Sequence, residues 1–122
     1  MPLVNIYLLK GKSRAYIKAI ADGVNSAVID TMGFPDDDRY QIIHECESDY
    51  LEYQTRDTER VMMHLVMRRG RPDDAKKAFY ARVVESLARD PGIDPGNVFI
   101  TITENNDIDW SFQDGVAQFC SE

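Results

Sequence analysis

A chain of 122 residues, 43% hydrophobic and 29% charged, has the size and composition of one soluble globular domain with a real core. Its net charge of −7 argues against nucleic acid or an anionic membrane surface as partner, with Arg68-Arg69-Gly70-Arg71 as a local basic exception. No apolar run is long enough to span a bilayer, the N-terminus lacks the basic n-region and cleavage site of a signal peptide, and Cys46 and Cys120 make no disulfide framework, so a cytoplasmic protein with reduced thiols is expected.

Pro2 to Leu9 is nearly all apolar and reads as a strand covered on both faces. Gly11 breaks it, and Ser13 can N-cap a helix whose Tyr16, Ile20, Val24, Ala27 and Thr31 recur at helical spacing until Gly33 and Pro35. A second strand runs from Tyr40 to about Glu45. The acidic segment Cys46 to Arg60 has no clear period and reads as a loop or hairpin. Val61 to Met67 is a third strand, apolar except for His64, which is expected to be a hydrogen-bonded core residue. Pro72 suits the first turn of a second helix, with Asp73 and Asp74 at its positive end and Ala75, Phe79, Val83 and Leu87 as its buried stripe. Pro91 and Gly92 end it. Asn97 to Thr103 is a fourth strand, and 106–122 is expected to form a short terminal strand or hairpin, with Trp110 and Phe112 most often core residues in such a setting.

The two halves, about 2–45 and 61–104, superimpose without a gap. An offset of 59 carries Gly11 to Gly70, Lys18 to Lys77, Ala19 to Ala78, Val24 to Val83, Gly33 to Gly92, Ile43 to Ile102 and Glu45 to Glu104. Matched glycines at matched element ends are what a duplicated βαβ unit requires. Each crossover makes its two strands parallel. The simplest closed arrangement is an α/β (α+β) fold: a four-stranded mixed sheet with two helices on one face, strand 1 antiparallel to strand 3.

That topology predicts a meeting point. Pro2 starts strand 1, Asp38 stands just before the parallel strand 2, and Arg69 and Arg71 follow the end of strand 3, so all four reach the same sheet edge. Methionine before proline is normally trimmed, which would leave Pro2 a free secondary amine able to exchange protons near neutral pH. Arginine's planar fork binds a carboxylate through two parallel hydrogen bonds, so the pair points to a small anionic substrate. Asp38 could activate water or hold the substrate's other end. The pseudo-symmetric edge carries Val61, Asn97, Lys10 and Lys12, without the amine or the acid, and one active edge per chain is expected.

Other constellations are weaker. In a strand, His44 and Cys46 face away from Glu45 and Glu47, and no second spaced ligand cluster accompanies them, so no metal is expected. There is no serine or cysteine nucleophile signature and no phosphate-cradling glycine loop.

Taken together, the N-terminal proline, the duplicated halves, Asp38-Arg39-Tyr40-Gln41, Arg69-x-Arg71, Glu104-Asn105 and Asp109-Trp110-Ser111-Phe112 resemble the tautomerase superfamily, most closely its malonate semialdehyde decarboxylase group. The resemblance covers nearly the whole chain. It implies a homotrimer acting on small 3-oxo or enol acids without metal or organic cofactor. It implies Pro2 as general acid/base, Asp38 as its assistant, Arg69 and Arg71 as carboxylate ligands, and Trp110 and Phe112 as an apolar wall. Decarboxylation, hydration and enol–keto tautomerisation all occur among such proteins. The loop from Cys46 to Arg60 is shorter and more acidic than the decarboxylase pattern, and Arg68 is an additional arginine. Loops around a site set substrate choice, so these departures bear on the substrate.

Overall fold

A computed structural model of the chain describes residues 2–120. Strand β1 (Pro2–Leu9) leads into helix α1 (Arg14–Met32) and strand β2 (Tyr40–Cys46); strand β3 (Val61–Arg68), helix α2 (Asp73–Arg89) and strand β4 (Val98–Asn105) repeat the pattern. The sheet order is β2-β1-β3-β4. Each unit is parallel within itself, with Leu3 opposite Tyr40 and Val61 opposite Val98. Where the units meet, β1 and β3 are antiparallel, from Pro2 opposite Met67 to Leu8 opposite Val61. The expected mixed sheet is the observed one.

Local chemistry sets the element ends. The Ser13 hydroxyl accepts from the Tyr16 N–H at 3.1 Å, satisfying one of the donors that every helix start leaves unpaired. At the other end of α1, Gly33 takes the left-handed conformation (φ 70°) and donates its N–H to the Ile29 carbonyl. Helix α2 has no side-chain cap; it carries Asp73 and Asp74 at its positive end and Arg89 in its last turn.

Side chains alternate along β1 and β3, with every second residue fully buried under the helices. Val4, Ile6, Met63 and Leu65 meet Ile20, Val24, Phe79 and Val83 in one core. Within one chain the helices cover one face of β1, and the other is half-buried. Leu3, Asn5 and Tyr7 share an open face with Ile42 and Phe99, which are 48% and 41% exposed in the single chain. His64 also belongs to that half-exposed face, donating to or accepting from Thr103 at 2.8 Å, rather than to the core.

Among the described residues, 106–120 form neither a strand nor a hairpin. A 3-10 turn at Asp107–Asp109 follows β4, closed by reciprocal hydrogen bonds between Asn106 and Asp109, and turns run on to Cys120. Asp114 and Gly115, both at positive φ, turn the chain away from any extended pairing. Phe119 instead packs on Trp110 and Phe112. The 59-residue offset also reaches this far, since adding 59 to the 3-10 turn at Ser48–Tyr50 gives Asp107–Asp109.

The segment between the units is held by Arg60. Only 5% exposed, its guanidinium donates to the carbonyls of Leu51 (2.8 Å), Thr58 (2.8 Å) and Ser48 (2.9 Å). Lysine's single ammonium cannot serve three carbonyls in one plane. Arg60→Lys should lower stability by roughly 1–3 kcal/mol, the cost of leaving buried acceptors unmet, and denaturant melts should show that loss beside faster amide exchange across 48–59.

Candidate active site

Register places the sequence-predicted residues at one end of the sheet. Pro2 opens β1 opposite Met67 of β3, and Asp38 stands two residues before β2, whose first residue pairs with Leu3. The backbone N–H of Asp38 closes a turn onto the Pro35 carbonyl at 3.2 Å. Beyond β3, the Arg69 N–H donates to the Asn105 carbonyl at 2.9 Å, extending the β3–β4 ladder by one rung. Gly70 (φ 132°) then turns the chain toward α2, a conformation a side chain would strain.

Both arginines are fixed through the same atom. Arg71 Nε donates to the Met32 carbonyl at 3.2 Å, and its guanidinium lies 3.9 Å over the Phe34 ring. The negative C-terminal end of α1 and the face of an aromatic ring both favour a cation there. Arg69 Nε donates to Asn106 Oδ1 at 3.1 Å. Anchoring by Nε directs hydrogen-bonding capacity to the two terminal nitrogens, the end of the fork that a carboxylate engages. Among the described residues neither arginine forms an ion pair with a side chain, whereas Arg68 pairs with Asp107 at 2.9 Å and lies 3.7 Å over Phe119.

Trp110 and Phe112 line a pocket of about 320 Å³ with Leu3, Tyr40, Val66 and Asn105 on the open face of the sheet. They are pocket walls, not core. The Trp110 indole N–H donates to Asn105 Oδ1 at 2.6 Å, which fixes the ring. Pro2 has its ring on the buried face, one residue from the pocket wall at Leu3; as the strand's first atom its nitrogen lies at the sheet end, between the two faces. Pro2, Asp38, Arg69 and Arg71 thus border this pocket's end of the sheet without lining it. Removal of Met1, on which a free Pro2 amine depends, lies outside the described residues.

Glu104 joins the edge from behind. Its carboxyl is held below the usual range chiefly by the hydrogen bond from Lys76, 3.0 Å away, against a modest opposing effect of burial; the Lys76 charge, the Gly70 N–H and the Arg69 charge add to the lowering. Sequence reasoning missed Phe34, Met32 and Asn106. The alternating pattern gave no hint of Phe34, because it follows the helix-ending Gly33. Asn105 enters the sequence pattern only within Glu104-Asn105, which does not reveal its bond to the Trp110 indole.

Family models described as "Tautomerase enzyme" match residues 38–113 and residues 2–51. "Probable tautomerase YrdN" of Bacillus subtilis (strain 168) is 31% identical over 124 residues, covering 98% of this chain and 96% of the relative. The solved FG41 malonate semialdehyde decarboxylase inhibited by 3-bromopropiolate is 33% identical with a TM-score of 0.87, covering 96% of this chain and 93% of that one. A second malonate semialdehyde decarboxylase, solved as wild type, as a proline-to-alanine mutant at its first residue and in inactivated form, is 31% identical with a TM-score of 0.87 over 96% of this chain and 95% of that one. The chain belongs to the tautomerase superfamily and is an enzyme of its malonate semialdehyde decarboxylase-like group.

The Lys76–Glu104 pair carries a pH signature. A carboxyl whose native pKa is depressed contributes stability that is present above the unfolded carboxylate value, about 4.3, and is lost as pH falls through the native pKa. In Lys76→Met the Glu104 carboxyl should titrate higher, toward the ordinary range, so stability near neutral pH should fall and the acid limb of the stability curve should be shallower than in the wild type. Carbon-13 titration of the Glu104 carboxyl checks the first and urea melts between neutral and acid pH the second.

Proposed function

We propose that the chain is a cofactor-free enzyme that uses Pro2, freed by removal of Met1, as general acid/base on small 3-oxo carboxylic acids, with decarboxylation of malonate semialdehyde as its main reaction. The observation that carries this reading is the pair of Nε-anchored guanidinium groups, Arg69 and Arg71, on the strand end that register sets beside Pro2. An amine and a two-cation carboxylate site at one sheet edge match a substrate with an oxo group and a carboxylate a few atoms apart. The likeness to two malonate semialdehyde decarboxylases at 31% and 33% identity supports the same substrate class.

In this reading Arg69 and Arg71 hold the substrate carboxylate. The protonated Pro2 nitrogen donates to the 3-oxo oxygen. The bond between the carboxylate carbon and C2 breaks, its electron pair flows into the C2–C3 enol, and carbon dioxide leaves. Protonation of C2, with the enol O–H proton returned to the Pro2 nitrogen, gives acetaldehyde and restores the protonated amine. Asp38 assists the amine, or activates water when hydration competes. Trp110 and Phe112 keep the departing carboxylate in an apolar setting, which favours the neutral product over the charged ground state. A homotrimer fits the apolar open face bearing Ile42 and Phe99, and reduced Cys46 and Cys120 fit a cytoplasmic location. Enol–keto tautomerisation is the second reading, favoured by the Bacillus relative called a probable tautomerase; it needs Pro2 as base and leaves Asp38 dispensable.

Proton-NMR time courses with malonate semialdehyde should show acetaldehyde with the wild type and a loss of roughly 10²-fold or more with Pro2→Ala, the scale of a missing general acid. Arg71→Ala should fall with it. Flat signals in the wild type, with turnover of an enol acid instead, would assign the tautomerase reaction. Phe34→Leu, which removes the ring beneath Arg71, should raise KM severalfold with little change in kcat, since it loosens carboxylate binding by about the 0.5–2 kcal/mol of a cation–π contact. Steady-state kinetics separates the two parameters.

A further inference from the structure

The 59-residue offset relates contacts as well as elements. Lys10, the counterpart of Arg69, donates its backbone N–H to the Cys46 carbonyl at 2.8 Å, as Arg69 does to Asn105 at 2.9 Å. Its Nζ reaches Glu47 at 3.3 Å, as Arg69 Nε reaches Asn106 at 3.1 Å. A second pocket, of about 300 Å³, is walled by Tyr7, Cys46, Leu51, Met62 and Phe99, the counterparts of Val66, Asn105, Trp110, Leu3 and Tyr40 around the first. The far end of the sheet is therefore a second copy of the candidate active edge.

The two copies differ in what meets the cations. Among the described residues Arg71 binds no carboxylate, but its counterpart Lys12 is ion-paired with Glu59, whose other oxygen accepts from the Tyr16 hydroxyl at 2.9 Å. Asn97, the counterpart of Asp38, binds Arg56 Nε at 2.9 Å and Thr58 Oγ1 at 3.2 Å. Each partner belongs to the segment 47–60, which Arg60 holds in place from beneath.

We propose that this second edge is a carboxylate-binding site that the chain fills with its own Glu59, so that removing that side chain opens a site for a small monocarboxylate between Lys12 and Tyr16. The inference rests on reading Arg69 and Arg71 as carboxylate ligands of the first edge. An attached carboxylate acts at an effective concentration of roughly millimolar or more, and here it is preorganised besides, so free anions do not displace it. Burial opposes ionisation of Glu59, but the hydrogen bonds from Lys12 and Tyr16 and the charges of Lys12 and Arg60 outweigh it and hold the carboxyl below its usual range. Burial first, and then Glu59, push the Tyr16 hydroxyl well above its usual range, so it remains a donor.

The test is an NMR titration of the full chain with acetate and, at matched ionic strength, with chloride, following the amides of Lys12 to Tyr16 and of Arg69 to Asp73. In wild type the Lys12–Tyr16 amides should not respond saturably to acetate. In Glu59→Ala they should, with an affinity roughly tenfold or more above that for chloride, the factor one charge-assisted hydrogen bond contributes. Adding Lys12→Met should abolish the response. Glu59→Ser, whose short side chain leaves the space between Lys12 and Tyr16 open, should give the same response and serves where the alanine variant does not fold. Equal responses to acetate and chloride in both variants, or a saturable wild-type response at Lys12–Tyr16, would overturn the proposal. Silence of the Arg69–Asp73 amides in every protein would instead count against the carboxylate reading of the first edge, a separately visible outcome.

Discussion

The structure depends on the antiparallel join between β1 and β3. Every other strand pairing is parallel and lies within one βαβ unit, so this one ladder makes two half-folds into a continuous sheet over one core. Its register decides what stands at the edge. A slip of one residue would exchange the faces of a strand, driving Leu3 and Tyr7 toward the helices and lifting Val4 and Ile6 out of the core. The burial of Val4, Ile6, Met63 and Leu65, each at 2% exposure or less, opposes that slip strongly. Hydrophobic packing in the middle of the sheet thereby fixes where Pro2 stands relative to the arginines at its end.

At that end, side-chain identity takes over from topology. A guanidinium can be gripped by one nitrogen and still present two, which is how Arg69 and Arg71 are held by Asn106 and by Met32 with Phe34. Lys10 and Lys12, at the equivalent places, carry a single donor head each, and each is spent on a glutamate of the connecting segment. The two halves share a backbone and divide the labour: one retains cations directed outward, the other neutralises them internally. In a chain of net charge −7 this leaves Arg68-Arg69-Gly70-Arg71 as a concentrated positive feature.

Much of this was legible in the residues. The gapless offset, the paired glycines Gly11/Gly70 and Gly33/Gly92, and the N-cap at Ser13 carried the element order, the strand directions and the shared edge of Pro2, Asp38, Arg69 and Arg71. Less legible were features that depend on packing at a distance. The nearly continuous apolar run in β1 reads as a strand covered twice, because sequence alone does not distinguish a face under helices from one that the single chain leaves open. Trp110 and Phe112 read as core or strand residues by hydrophobicity, yet Asn106, Asp109, Asp114 and Gly115 turn that segment and place both rings against a pocket. Phe34 and Met32 serve Arg71 across 37 and 39 residues of chain, a separation no local pattern encodes.

Trp110 is the chain's single tryptophan. Its indole N–H is fixed on Asn105, its ring meets Phe119 edge-on, and it stands in the wall of the candidate pocket. Indole emission responds to the polarity and mobility of its surroundings, and here no other indole dilutes the signal. The protein's tryptophan fluorescence, excited where its six tyrosines do not absorb, is therefore a local reading of this one wall, so that wetting, drying or occupation of the pocket registers as a shift in colour without any label attached.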